Sequence, residues 1–437
     1  MEAVYSGCWF IGDIPGDWRV ARLDTLANLF GRIGWQGLTS DEYQEEGAWL
    51  VTGTDFHKGS VNWDSCVHVP EHRWEEAVQI QLQEGDLLIT KDGTIGKLAI
   101  IGELPGHASL NSGVMRIASK AGEYDTRFLY YVLRSEVFRS WFKDINAGAS
   151  TIQHLFQGDF KHFLLPFPTL VEQERISGFL DVQIFNLDEE VSILEKQAET
   201  LERYKESLIH EAVTKGLDKT VGTKPSGVEW IGDIPEHWSA ERMKYVCETS
   251  SGTTPDSGNL EYYDGSINWI QSGDLYNIEV LNKTSTNVTT KALVECSALK
   301  VYKAPFVVVA MYGASIGNSA LSIIDACTNQ ACCALVPGKR LDSRFLRYAI
   351  NAAQEDLRSK AIGGTQPNIS QQLIKNEPIA VPPISEQKRI ADALDSCCAN
   401  INSILDIKRR QIDVLKRRRE SLIYEYVTGK RRVEEEA

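Results

Sequence analysis

The chain has 437 residues, 43% hydrophobic and 24% charged, which is the composition of a folded protein and excludes disordered and collagen-like classes. Its formal net charge is −14. That excludes a chain that coats nucleic acid by charge alone, because such binding rests on neutralising many phosphates, but it leaves room for a local basic face.

Nine cysteines, with two adjacent pairs and no C-x-x-C, read as reduced thiols serving as small apolar side chains. The start, MEAVYSGCWF, lacks the basic-then-apolar order of a secretory signal. No apolar stretch approaches the roughly 20 residues of a membrane span. A cytoplasmic protein is expected.

In chain order, the first motif is Ile11-Gly12-Asp13-Ile14-Pro15 with Trp18, and it returns as Ile231-Gly232-Asp233-Ile234-Pro235 with Trp238. Thr94-Ile95-Gly96 returns as Ser315-Ile316-Gly317, and Phe128-Leu129-Tyr130-Tyr131 as Phe345-Leu346-Arg347-Tyr348. Glu172-Gln173-Glu174-Arg175-Ile176 returns as Glu386-Gln387-Lys388-Arg389-Ile390, and Glu206–Ile209 returns unchanged at Glu420–Ile423. The order is kept and the offset stays between 214 and 221, so one unit of about 215 residues is used twice.

Each unit divides in two. Residues 1–168 and 219–383 mix short β-rich runs (Asp86–Thr90, Lys97–Ile101, Phe306–Ala310) with turn residues and a helical pattern at about 126–143 and 343–360, which predicts an α+β domain. Residues 169–218 and 384–432 each predict one long helix, with an acidic tail at 433–437. Ser385 is the expected N-cap of the second.

The first helix has a seam at Leu180, Ile184, Leu187, Val191, Leu194, Ala198, Leu201, Lys205, Leu208 and Ala212. The second repeats it from Leu394 through Cys398, Ile401, Leu405, Lys408, Ile412, Leu415, Arg419 and Leu422 to Tyr426. Alternation by four and three is the coiled-coil repeat. Residues 171–218 carry 5 basic and 12 acidic side chains, whereas 384–437 carry 12 and 10, so the two helices should prefer each other over self-pairing. An antiparallel pairing with pseudo-two-fold symmetry, one domain at each end of a shared rod, is the expected architecture.

Catalytic signatures are absent. Gly93-Thr94-Ile95-Gly96-Lys97 resembles a phosphate loop but is followed by Leu98 where Ser or Thr should bind magnesium. Val381-Pro382-Pro383-Ile384 lacks the polar first and aromatic last residue of an amino-methyltransferase motif, and the eight histidines form no H-E-x-x-H. No catalytic or metal-binding residue is assigned.

Tandem α+β domains, each followed by a long helix, resemble the specificity (S, HsdS) subunit of type I restriction–modification systems. The resemblance rests on Trp230–Pro235 with Trp238 and its copy Trp9–Pro15 with Trp18, on the junctions Pro166–Ile176 and Val381–Ile390, and on the helix ends 207–216 and 421–429. It spans essentially the whole chain. It implies two target recognition domains, each reading half of a bipartite, asymmetric double-stranded DNA site, and a helical spacer that docks two modification (methyltransferase) subunits. Restriction subunits with translocase and nuclease activity would complete the enzyme. S-adenosylmethionine, ATP and Mg would belong to those partners, leaving this chain no cofactor and no chemistry of its own. A two-headed protein-interaction scaffold is the alternative.

Base reading needs polar side chains on loops that enter a groove. The candidates in the first domain are Arg32, Trp35 and Gln36, then Thr54 and Lys58, then Lys91, Gly93 and Thr94, then Ser150, Thr151 and Gln153. In the second they are Thr253 and Thr254, then Gln271 and Ser272, then Tyr312, Gly313 and Ser315, then Gly364, Thr365, Gln366 and Asn368. Lys91-Asp92-Gly93-Thr94 is expected to match Tyr312-Gly313-Ala314-Ser315. Positions that differ between the repeats are the better candidates for base reading.

Overall fold

The computed structural model describes residues 3–32, 38–120, 122, 124–147, 153–313, 315–363 and 367–433. The helices that matter here are α1 (Thr126–Arg134), α2 (Leu170–Lys215), α3 (Ser343–Ala352) and α4 (Ile384–Val427). The chain forms two compact units: Met1–Glu195 with Arg410–Ala437, and Lys196–Arg409. Each long helix is therefore shared between the two units.

In the first unit an antiparallel four-stranded sheet has the order Leu98–Ile100, Leu87–Thr90, Val114–Ser119, Ala27–Gly31. A three-stranded sheet places Ala108–Leu110 parallel to Ala48–Val51, which pairs antiparallel with Val67–Val69. The second unit repeats this plan. Cys247–Ser251, Cys332–Pro337, Phe306–Ala310 and Ser319–Ser322 form its main sheet, and Tyr263–Ile270 runs parallel to Ala326–Thr328. Phe306–Ala310 is buried at every position, as its unbroken apolar run requires of a central strand. The units differ between the first two strands of the three-stranded sheet. Phe56–His57 and Ser60–Val61 form a hairpin in the first, whereas Val280–Leu281 adds a fifth, parallel strand to the main sheet in the second. The observed class is α+β.

The repeated motifs meet in space. In both units the Trp indole of the Ile-Gly-Asp-Ile-Pro segment donates to the Glu that opens a long helix: Trp18 Nε1 to Glu172 Oε2 at 3.0 Å, Trp238 Nε1 to Glu386 Oε2 at 3.2 Å. Both tryptophans are buried. The neighbouring glutamines are fully buried crossbars. Gln173 accepts from Asp125 N (3.1 Å) and donates to Pro168 O (2.9 Å). Gln387 accepts from Asp342 N (2.8 Å) and donates to Pro382 O (2.8 Å) and Arg340 O (2.9 Å). Asp125 and Asp342 are the N-caps of α1 and α3, so each crossbar ties the start of a long helix to the start of a domain helix. Ser385 is not the cap expected: it lies inside the first turn, because the helix begins at Ile384 and the Pro383 carbonyl, accepting from Glu386 and Gln387 N, takes the N-cap position.

Within each unit the two helix segments run antiparallel. The first unit pairs Asp188 with Arg419 (2.5 Å) and Glu195 with Lys416 (3.0 Å). The second pairs Gln197 with Lys408 (2.7 Å) and Glu202 with Arg409 (2.9 Å). By the repeat offset of 214, Glu202 corresponds to Lys416 and Glu195 to Arg409. Self-pairing would thus oppose Glu195 with Glu202, and Arg409 with Lys416. The exposed pairs contribute about 0.2–1 kcal/mol each, enough to choose a partner rather than to hold one.

Holding comes from the seam, which continues into the domain cores. Leu180, Ile184, Leu187 and Val191 join Phe128, Val132, Phe138 and Phe163, and Leu394 and Cys398 join Phe345 and Leu346. Toward the helix ends the seam shifts by one residue. Ile209 and Ile423 are buried, whereas Leu208 and Leu422 are half-buried. There the helix meets Ile231, Ile234 and Trp238 in one unit, and Ile11, Ile14 and Trp18 in the other, so its apolar face follows the natural 3.6-residue period.

Seven of the nine cysteines are buried, as apolar residues are. Burial pushes the thiols of Cys66, Cys247, Cys327, Cys332 and Cys333 up to about 12. Glu377 is the reverse case, a carboxyl sunk in the second unit at 2% exposure. It accepts from Trp230 Nε1 at 2.8 Å and pairs with Lys360 at 3.1 Å. Burial, reinforced by nearby Asp356, outweighs Lys360 and pushes it up to about 7. The raised value means its contribution is complete below the ordinary carboxyl pKa and is lost as pH rises through about 7. Glu377→Gln should therefore gain on wild type between about pH 5 and pH 8, by roughly 2 kcal/mol. Thermal melts at the two pH values check this, and an equal difference at both would refute it.

Candidate nucleic-acid interface

In both units a set of loops is tied together at one end of the sheets' strands by the same backbone hydrogen bonds. In the first unit Asn111 N donates to Val51 O (3.0 Å), Lys91 N to Gly113 O (2.9 Å) and Leu155 N to Lys91 O (3.0 Å). In the second Asn329 N donates to Ile270 O (2.9 Å), Met311 N to Ala331 O (2.7 Å) and Ile369 N to Met311 O (2.7 Å). Asn111 and Asn329 then fold the tip in the same way, accepting on Oδ1 from Gly113 N (2.9 Å) and Ala331 N (3.0 Å). Asp55 and Asp274 brace another loop identically, accepting from Thr52 N (2.7 Å) and Gln271 N (2.9 Å). The segment after the first edge strand joins each cluster. Gly252 lies so close to Thr328 that a Cβ would sit 1.7 Å from its carbonyl oxygen, which only glycine permits.

These bonds correct one correspondence. Lys91 occupies the place of Met311, not Tyr312, so Tyr312 stands where Asp92 does. The glycines Gly96 and Gly317 bond back to Thr90 O and Ala310 O, leaving one extra residue inside the second loop. The side chains at the matched place also differ. His154 Nδ1 meets Asp92 Oδ1 at 2.6 Å, whereas Tyr312 and Asn368 join by a backbone bridge.

The loop edge gathers Lys91, Gly93, Thr94 and Gln153 in the first unit, and Thr253, Thr254, Gln271, Ser272, Tyr312, Gly313 and Asn368 in the second. Thr54 shares the Asp55-braced loop, to which Lys97 Nζ donates at Gly53 O (3.4 Å). Thr54, Gly93, Thr94, Gln153, Thr254, Gly313 and Asn368 are exposed there. Three candidates are placed differently. Arg32 is buried and donates to Leu110 O (2.8 Å) and Ser109 Oγ (3.2 Å), which commits it to its own domain. Ser315 is buried as well. Lys58 sits in the turn of the Phe56–Val61 hairpin and lines a cleft of about 570 Å³ with Asp188, Glu195 and Lys416. Trp35, Gln36, Ser150, Thr151, Gly364, Thr365 and Gln366 lie outside the described residues.

Ser112 and Gln330 were not among the candidates. Each occupies the exposed tip after the shared Asn, and Gln330 Oε1 accepts from Thr254 Oγ1. The only signal for them in the sequence is that lone Asn, 218 residues apart in the two copies. Chemically, the loop edge offers hydroxyls, amides and close backbone in a shared frame with different side chains. That suits reading two different polar surfaces. Among the described residues no helix is long and apolar enough to cross a membrane.

The comparisons with known proteins agree with this duplicated plan. The family model described as the type I restriction modification DNA specificity domain matches twice, at residues 16–203 and 235–428. The chain is 24% identical over 435 residues to the putative type I restriction enzyme MjaX specificity subunit of Methanocaldococcus jannaschii, covering 97% of this chain and 96% of the relative. It is 27% identical over 244 residues to the EcoBI specificity subunit of Escherichia coli, covering 54% and 48%. Its fold matches a chain of a solved type I R-M system with TM-score 0.73 at 18% identity, covering 96% and 99%. It also matches the HsdS subunit from Thermoanaerobacter tengcongensis with TM-score 0.50 at 16% identity, covering 96% and 98%. With two copies of its defining domain spanning most of its length, the chain belongs to the type I restriction–modification DNA specificity family, as a recognition subunit that is not itself the catalyst.

Proposed function

We propose that the two loop edges read the two halves of a bipartite, asymmetric double-stranded DNA site, and that α2 and α4 set the gap between them. The observation that carries this reading is one hydrogen-bonded loop frame, present in both units, with different side chains on it: Ser112 against Gln330, Asp92 with His154 against Tyr312 with Asn368. Identical frames with unlike tips imply related docking on DNA and unlike half-sites.

The helices also carry exposed apolar side chains: Val182, Phe185 and Ile193 on α2, Ile404 and Ile407 on α4. Two modification (methyltransferase) subunits docking there, with restriction subunits added to complete the enzyme, would cover them. Those partners would bring S-adenosylmethionine, ATP and Mg, together with much of the positive surface that a chain of net charge −14 lacks.

The test is methylome sequencing of cells that express this chain with its modification subunit. Adenine methylation at a motif of two unlike halves with one fixed gap is expected. Gln330→Ala should relax the motif at one position of one half only, by roughly 1–3 kcal/mol of base discrimination. A continuous, ungapped motif would overturn the reading.

A further inference from the structure

Two ion clusters hold the domain helices α1 and α3 to the long helices, one shared by the repeats and one not. The shared cluster is Tyr131 Oη to Asp181 Oδ1 (2.8 Å) with Arg127 to Asp181 (3.1 Å). Its copy is Tyr348 Oη to Asp395 Oδ1 (2.7 Å) with Arg344 to Asp395 (2.8 Å).

The second cluster keeps its charges but exchanges their owners. In the first unit the acid belongs to the long helix. Asp188 on α2 pairs with Arg419 of α4 at 2.5 Å and with Arg134 of α1 at 3.7 Å. In the second unit the repeat equivalent of Asp188 is Asn402, and the acid comes from the domain instead. Glu279 pairs with Lys205 of α2 at 2.5 Å and with Arg347 of α3 at 3.4 Å, while Asn402 Oδ1 accepts from Lys205 at 2.8 Å.

The reason for the exchange lies in the domain. Gly59 O accepts from Ile100 N as Glu279 O accepts from Leu321 N, so Gly59 occupies the place of Glu279. A Cβ on Gly59 would meet Tyr130 Oη at 2.7 Å, and its φ of +84° disfavours any side chain. Tyr130 in turn is the repeat partner of Arg347. The first domain cannot supply the acid, and its helix pair does.

We infer that this cluster is a position-specific latch: each recognition domain is charge-matched to its own helix pair, with the acid on the helix for the first domain and on the domain for the second. Arg347 is only 7% exposed, and Lys205 only 18%, so neither cation is comfortably solvated without Glu279. In the first unit Arg134 and Arg419, more exposed at 28% and 26%, share Asp188 as their acid.

The test transposes the second latch into the form of the first, in the full chain. Cys398 is buried in the second unit against this cluster, and its labelling by a thiol reagent reports opening there. Cys397→Ser removes the exposed neighbouring thiol. In that background Glu279→Gln should speed Cys398 labelling roughly tenfold. Glu279→Gln with Asn402→Asp, which restores an acid on the helix, should return it to within about twofold of the parent. Cys247, in the core of the same unit, should label at an unchanged rate, which separates latch opening from general unfolding. The inference is overturned if Glu279→Gln labels at the parental rate, if the double variant labels as fast as the single, or if Cys247 accelerates in step. None of these readouts depends on DNA, so the methylome test above stands or falls separately.

Discussion

Gln387→Ala should destabilise the second unit by about 3 kcal/mol, the largest single-residue effect expected outside the apolar core. The side chain is fully buried and makes three hydrogen bonds to backbone groups. Truncation leaves Asp342 N, Arg340 O and Pro382 O without that partner at once. A buried polar group left unsatisfied costs about 1–3 kcal/mol, and partial entry of water into the vacated space keeps the total below the sum. Gln387→Glu should be no rescue, since a carboxylate keeps the bond from Asp342 N but turns acceptors toward two carbonyl oxygens. Gln173→Ala, which removes two such bonds in the first unit, should cost less, about 2 kcal/mol. Hydrogen exchange reads each unit by itself, with lost protection expected first in α3 for Gln387 and in α1 for Gln173. A cost under about 0.5 kcal/mol for Gln387→Ala would show that the crossbar is dispensable.

The same glutamines mark what the sequence could and could not say. Glu172-Gln173 and Glu386-Gln387 were visible as a repeat, because identity at a fixed offset needs no structure. Their work was not visible, because a glutamine at a helix start is usually solvated, and its burial depends on Asp125 and Asp342, some 45 to 48 residues away. The long helices were legible from their period, as was the preference of an acidic helix for a basic one. The shift of the seam to Ile209 and Ile423 was not, since it is imposed by the Ile-Gly-Asp-Ile-Pro segments and their tryptophans packed on the helix ends. The loop edge was half legible. Glycine and Asn turn signals flagged most of its members, but Arg32 reads as a basic loop residue until the parallel strand Ala108–Leu110 is found beside it. Lys58 was misgrouped for a similar reason: hairpin turns and groove-entering loops have the same local composition, and only pairing across the sheet separates them.

Lengthening both long helices by one heptad, between Glu195 and Lys196 and between Arg409 and Arg410, should abolish methylation of the native site, by about 100-fold or more. Seven residues preserve the coiled-coil seam and add about 10.5 Å. On B-form DNA that distance is about three base pairs, and three base pairs also rotate the second half-site by roughly 100° about the duplex. A straight helix pair extends without turning its far end by that angle, so the second loop edge would face the wrong side of the groove, and only weak activity at a longer gap should survive. Three heptads in each helix add about 31.5 Å, close to one full turn of DNA, and should restore a single motif whose halves are unchanged and whose gap is longer by nine or ten base pairs. The comparison separates two roles that a point substitution would confuse. If the helices only hold the domains together, with the gap set by partner subunits, both insertions should leave the native gap in use. If they are the ruler, the native gap disappears in both variants and one long gap appears in the second. Persistent methylation at the native gap in the single-heptad variant would remove the ruler from the proposed function while leaving the two half-site readers intact.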